Sequence, residues 1–244
     1  MSNSPTKRMM GRVIGVVRPV LIDKVERDHQ QSDAAFLRRR IVVAITLAVG
    51  ATLLGFSFSV RQGDPAFYAL TFGLAATWTL GSLLSGPLHL GHILRGGTLR
   101  RPIITPIAVG LLLAALFLLG AFVVRTIPQL ASLAEDVLGY ARLGNLWIIF
   151  MITLVNGIAE EFFFRGALFA AIGAWHPVLI STVLYASATI AGGNPALVFA
   201  AVVLGTVVAL QRRASGGILA PILTHITWSL SMLFVLPPIF AGAA

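Results

Sequence analysis

The sequence predicts an all-α fold, a polytopic transmembrane helical bundle of about seven to eight spans. Three observations carry this expectation. Of 244 residues, 57% are hydrophobic and 11% charged, with a mean hydropathy of +0.89, whereas soluble domains carry about 25% charged residues. The apolar residues fall into seven runs near the length of a membrane span, about twenty residues. Nine of the eighteen Lys and Arg lie before residue 41, and most of the rest stand at the ends of those runs. Only a bilayer would accept this much apolar surface, and in hydrocarbon the backbone satisfies itself as helix.

Taken in order, residues 1–40 read as a basic cytoplasmic tail and 41–244 as the transmembrane domain. The tail mixes Lys7, Arg8, Arg12, Arg18, Lys24 and Arg27 with Asp23, Glu26, Asp28 and Asp33. Within it, Met9–Ile22 is partly amphipathic and could lie on anionic headgroups; a flexible polar tail is the plainer alternative. This polar stretch precedes the first apolar run, which argues against a secretory signal. Arg38, Arg39 and Arg40 mark the membrane surface. The expected spans are 41–60, 66–86, 103–124, 145–168, 176–191, 195–211 and 216–237, the fifth and sixth being short. Segments 88–94 and 129–142 read as short interfacial helices. There is no repeat and no second domain.

Charge gives the orientation. With the N-terminus inside, 15 Lys and Arg fall on the cytoplasmic side and 3 on the other, namely Arg61, Arg125 and Arg142. The positive-inside bias therefore predicts an integral membrane protein, in the plasma membrane, with a cytoplasmic N-terminus. The net charge of +9 would suggest a nucleic-acid partner in a soluble protein. Here the positives flank spans and do not interleave with aromatics, so no nucleic-acid partner is expected. The absence of cysteine excludes disulfides, thiolate catalysis and cysteine metal ligands.

Seven of the nine acidic residues lie in the tail or in loops; the other two are Glu160 and Glu161, inside the fourth run. A charged side chain at the bilayer centre costs about 2.5–3.5 kcal/mol on insertion scales, so two in succession must face a polar cavity or be paired. Arg165 lies four residues after Glu161, on the same helix face, and predicts an ion pair. Glu160 points elsewhere, on the face of Asn156. A carboxylate in a poorly solvated site suits a general base. An ion pair that merely fixes helix packing is the alternative. His225, in Ala220-Pro-Ile-Leu-Thr-His-Ile-Thr-Trp-Ser229, is the one histidine well inside an apolar run. It is a candidate ligand or catalytic group beside Glu160, with Ser229 one turn later; a hydrogen-bonded packing histidine is the other reading. His89 and His92 have i, i+3 spacing but sit among Pro87, Gly91, Gly96 and Gly97. His176 precedes Pro177 and looks like a turn residue, and His29 is in the tail.

Glu160-Glu161-Phe-Phe-Phe-Arg165-Gly166 resembles the EExxxR signature of the CAAX-processing and bacteriocin-processing (CPBP, or ABI) family of intramembrane metalloproteases. Pro221-Ile-Leu-Thr-His225 resembles that family's last motif, and the resemblance covers about residues 145–235. It implies an intramembrane metalloendopeptidase in which Glu160 activates water, Glu161 and Arg165 form a supporting pair, and His225 is a ligand or oxyanion stabiliser. It also implies a divalent metal, zinc among the candidates, at Glu160 and His225. Two positions depart from the family. Tyr185 matches an aromatic that histidine should follow four residues later, but Thr189 stands there. Ser229 stands where asparagine or aspartate is expected. Both are poor zinc ligands and neither is a base near neutral pH.

Three functions follow as alternatives. The first is an endopeptidase cutting a membrane-associated peptide or protein near the cytoplasmic face. The second is a non-catalytic relative that binds peptides or partners in the same cavity, motivated by Thr189 and Ser229. The third is a proton-linked transporter, since buried acids also relay protons, though no repeated halves support it.

Overall fold

The computed structural model describes residues 15, 18–19, 21–25, 31–95 and 97–241. The amphipathic stretch Met9–Ile22 thus lies mostly outside the described residues. Among those described, the helices are α1 (Asp33–Ser59), α2 (Ala66–Ser85), α3 (Ile104–Val124), α4 (Pro128–Leu143), α5 (Leu146–Ile172), α6 (Pro177–Ile190), α7 (Pro195–Ser215) and α8 (Leu219–Phe240). Six of them are long and apolar enough to cross a membrane, and α6, with 14 residues, is a shorter apolar helix. At about 1.5 Å per residue α6 spans roughly 21 Å, so the short fifth run is short in the fold as well.

Three elements depart from the expected boundaries. Helix α1 begins at Asp33, inside the stretch read as tail, because the Ser32 hydroxyl caps it by accepting from the Ala35 N–H at 3.3 Å and Asp33 lies in its first turn. Both features favour a helix N-terminus. Helix α7 continues past residue 211 through Arg212 and Arg213 to Ser215, since Arg212 turns inward and is 5% exposed. Segment 88–94 is no helix. Ile93–Arg95 forms strand β1, which pairs antiparallel with β2 (Thr98–Arg100), Ile93 opposite Arg100. Gly86, Gly91 and Gly97 all have positive φ there, a conformation that interrupts a right-handed helix. The other interfacial segment, 129–142, is the helix α4.

Small residues let the spans approach closely, as in membrane helix pairs generally. Gly50 of α1 lies under the Trp78 ring of α2, and Gly81 of α2 lies against Thr46 of α1; a Cβ at either would collide. Gly110 of α3 meets Thr224 and Thr227 of α8 in the same way.

The connections sort to two ends. At one, Arg39 donates to the Pro87 carbonyl at 3.3 Å, Arg40 donates to the Ala171 carbonyl at 3.1 Å, and the His92 N–H donates to the Ser215 carbonyl at 2.9 Å. At the other, Tyr140 donates to the carbonyls of Phe58 and Val60 at 3.0 and 2.8 Å, and Asn194 donates to Leu133 at 2.8 Å. The first end gathers the start of α1, the ends of α2 and α5 and the α7–α8 turn. It is the arginine-rich end.

Candidate active site

The site is built on the middle of α5, where the backbone changes its winding. Residues Leu146–Glu160 are regular α-helix, and Glu161–Leu168 form a π-helical stretch before Phe169–Ile172 resume the α form. Such widened turns are rare and recur at functional sites. The change falls between the two glutamates.

Glu161 and Arg165 are both 0% exposed. One Arg165 terminal nitrogen donates to Glu161 Oε1 at 3.1 Å, and the other donates to the Gly205 carbonyl of α7, also at 3.1 Å. The guanidinium lies over the Tyr185 ring, 4.6 Å from its centroid. His225 brings its Nδ1 to 2.7 Å from the same Glu161 Oε1. An ionised carboxylate only accepts, so beside Arg165 it draws the hydrogen to Nδ1 and leaves Nε2 as the other polar atom of the ring. The expected Glu161–Arg165 pair is thus present, and His225 belongs to it directly.

Glu160 has a different environment. Its Oε2 accepts from the Tyr185 hydroxyl at 2.6 Å. Glu160, Tyr185, Thr189 and His225 line one cavity of about 200 Å³, whose other walls are largely apolar, Trp78, Phe164 and Leu204 among them. The Thr189 hydroxyl donates to the Tyr185 carbonyl at 2.9 Å, as side chains of this kind do within helices.

Two candidates lie elsewhere. Asn156 spends its amide on the carbonyls of Ile152 and Thr71, at 3.1 and 3.2 Å, and does not line the cavity. Ser229, half-buried, does not line it either. Nor do His89, His92 and His176. His89 sits in the loop after α2, where burial first, and Arg212 and Arg39 next, hold its imidazole below the ordinary histidine value.

Two supporting residues escaped the sequence reading. Gly205 supplies the carbonyl that Arg165 binds, and a Cβ there would come within 3.1 Å of both Arg165 and Tyr185. Arg212 donates from Nε to the Arg165 carbonyl at 2.6 Å and so braces the π-helical stretch. Its only sequence signal was a charge at the end of an apolar run, which reads equally well as a membrane-surface marker.

The metal implied by the resemblance can be tested on the donors. Glu160 and His225 line the cavity; a catalytic zinc takes three protein ligands. Among the described residues no cluster of three His, Cys, Asp or Glu could hold a metal ion, and Glu161 Oε1 is already shared by Arg165 and His225. The side chains present do not complete such a site.

Comparison with known proteins gives a family match. Residues 142–231 fit the family described as "Type II CAAX prenyl endopeptidase Rce1-like". No curated protein and no solved structure matches the chain. The matched stretch runs from the end of α4 into α8 and contains Glu160, Glu161, Arg165, Tyr185, Thr189 and His225. The resemblance to the CAAX-processing protease family read from the two motifs therefore holds, and residues 142–231 are an Rce1-like segment.

Proposed function

We propose that the chain is an intramembrane endopeptidase of the CAAX-processing type that hydrolyses a membrane-associated peptide, with Glu160 as its general base. One observation carries the reading. Of two adjacent intramembrane carboxylates, Glu161 is tied to Arg165 and His225, whereas Glu160 borders a cavity and has a hydroxyl partner, Tyr185, on one oxygen.

Glu160 takes a proton from a water in the cavity as its oxygen adds to the substrate carbonyl. The tetrahedral intermediate carries the negative charge on the former carbonyl oxygen. Glu160 then gives the proton to the amide nitrogen as the C–N bond breaks, releasing a carboxylic acid and an amine, between which the second water proton passes to give carboxylate and ammonium. Tyr185 holds the carboxylate in place. The Glu161–Arg165 pair orients His225, which lines the cavity and whose Nε2 is left to face the reacting centre, in the way a buried carboxylate fixes a catalytic imidazole. Apolar walls keep bulk water out and strengthen these interactions.

The cavity also suggests the side of entry. Leu54 and Phe58 belong to the last turns of α1, Thr189 to the last turn of α6 and Leu197 to the first turn of α7. All four lie toward the arginine-poor end. A substrate reaching Glu160 by this path enters from the end opposite the arginine-rich one, contrary to the cytoplasmic-face expectation.

Cleavage of a membrane-anchored peptide reporter in proteoliposomes tests the proposal. Glu160→Gln should reduce cleavage by at least about a hundredfold, the usual lower range for general acid–base catalysis, with the variant still folded. Undiminished cleavage rejects it. Peptide binding without turnover by the wild type would favour the second reading, a non-catalytic binder, which Thr189 at the expected histidine position supports. Metal content measured on the same preparations tests the metal separately.

A further inference from the structure

A large cleft lies outside the active site, between α6 and α7. Its volume is about 810 Å³, and it runs along α6 from Pro177 to Ile190, bounded on α7 by residues from Val202 to Arg213. Those 14 residues of α6 correspond to roughly 21 Å at the helical rise, long enough to hold an acyl chain of one leaflet, which is half of a hydrocarbon core of about 30 Å. The trough is lined by apolar side chains such as Val183, Ile190 and Val202.

Its chemistry is asymmetric. Lys24, His176 and Arg213 all line the cleft, no acidic side chain among the described residues does, and Pro177 at the start of α6 marks the same end. Lys24 is held there because the next residue, Val25, donates its N–H to the Ala214 carbonyl at 3.2 Å. Helix α6 has no side-chain cap at His176, so its first-turn N–H groups add a positive dipole. Arg213 Nε is buried without a hydrogen-bond partner among the described residues. One turn along α6, Thr182 lines the cleft at 7% exposure, and its hydroxyl oxygen has no such partner either.

We propose that this cleft is a binding site for an anionic phospholipid. The phosphate-bearing headgroup sits at Lys24, His176 and Arg213, and one acyl chain lies in the trough along α6. The basic end requires a negative headgroup; the depth and polarity of the rest require a hydrocarbon chain. A neutral lipid satisfies only the second condition. None of the three basic residues touches the active-site cavity, so lipid binding and catalysis can be perturbed separately.

Native mass spectrometry of the full chain in neutral detergent tests this, with phosphatidylglycerol or phosphatidylcholine of identical acyl chains as the probe. The wild type should retain one phosphatidylglycerol about tenfold more tightly than phosphatidylcholine, the scale expected from basic residues at an anionic surface. The double variant Lys24→Gln/Arg213→Gln should lose that preference. Val202→Trp, which fills the trough, should lose retention of both lipids. Equal retention of the two lipids by the wild type overturns the proposal, as does an unchanged preference in the double variant or unchanged retention in Val202→Trp. Should the double variant fail to fold, Val202→Trp decides alone.

Discussion

From a position without solvent Arg165 reaches Glu161 Oε1, the Gly205 carbonyl and the face of Tyr185. Its planar fork reaches two acceptors and stacks at once, which a lysine ammonium on a flexible stem does not reproduce. Removing one partner of a buried pair typically costs about 3–5 kcal/mol, because the other charge is left uncompensated. Arg165→Lys keeps the charge but forfeits one hydrogen bond and the stacking. We expect it to lower stability in detergent by about 1–3 kcal/mol. Glu160→Gln behaves differently: the amide oxygen still accepts from Tyr185 in the same shape, and the change stays within about 1 kcal/mol. Thermal unfolding of the two variants checks the contrast, and comparable losses in both would mean that Glu160 is as structural as its neighbour. The Glu161–Arg165 pair was legible in the sequence because four residues suffice to put both on one helix face. The His225–Glu161 hydrogen bond was not, since it depends on α8 lying against α5, a fact of packing that no local pattern encodes.

At the scale of elements, α4 shows how a non-spanning helix is fastened. Its Tyr140 hydroxyl donates to both Phe58 and Val60 carbonyls, at 3.0 and 2.8 Å, where α1 ends. Burial, with Asp136 adding to it, raises the Tyr140 phenol above its ordinary value. A phenol raised in the fold is held in its neutral form, so its contribution is present below the unfolded value near 10 and is lost as pH rises through the folded one. Tyr140→Phe should therefore loosen α4 at neutral pH, seen as faster amide exchange across Pro128–Leu143, and should remove any alkaline loosening that the wild type shows. Identical exchange in the two proteins at neutral pH would mean that the hydroxyl contributes nothing to docking. Apart from the start of α1, which reaches back into the stretch read as tail, the spans were readable within a few residues, because each is one apolar run and hydrocarbon admits little but helix. The hairpin was overlooked although Gly96-Gly97 between Ile93–Arg95 and Thr98–Arg100 is a hairpin signal, because its apolar residues mimic a short helix. The π-helical stretch was invisible because Glu-Phe-Phe-Phe-Arg-Gly-Ala-Leu is compatible with either winding, and Arg212, 47 residues after Arg165, helps to hold the wider one.

The whole molecule joins two vectors, the charge asymmetry and the direction of the active-site cavity. The arginine-rich end holds the start of α1, the hairpin and the α7–α8 turn, while the cavity leads from Glu160 toward the end of α1 and the α6–α7 connection. If the positive-inside bias governs orientation, the cavity opens toward the non-cytoplasmic leaflet, and the substrate is a peptide presented there. The sequence has no cysteine, so single cysteines report on sidedness without background. Ser132 is exposed on α4 at the arginine-poor end, and Ala174 is exposed after α5 at the arginine-rich end. A membrane-impermeant maleimide applied to intact cells should label Ser132→Cys and spare Ala174→Cys until the membrane is opened. The reverse pattern would put the arginine-rich end outside and the mouth of the cavity on the cytoplasmic side. That result would restore cytoplasmic cleavage with Glu160 still the base, because the direction of the cavity is fixed by the bundle and only its address in the membrane depends on charge.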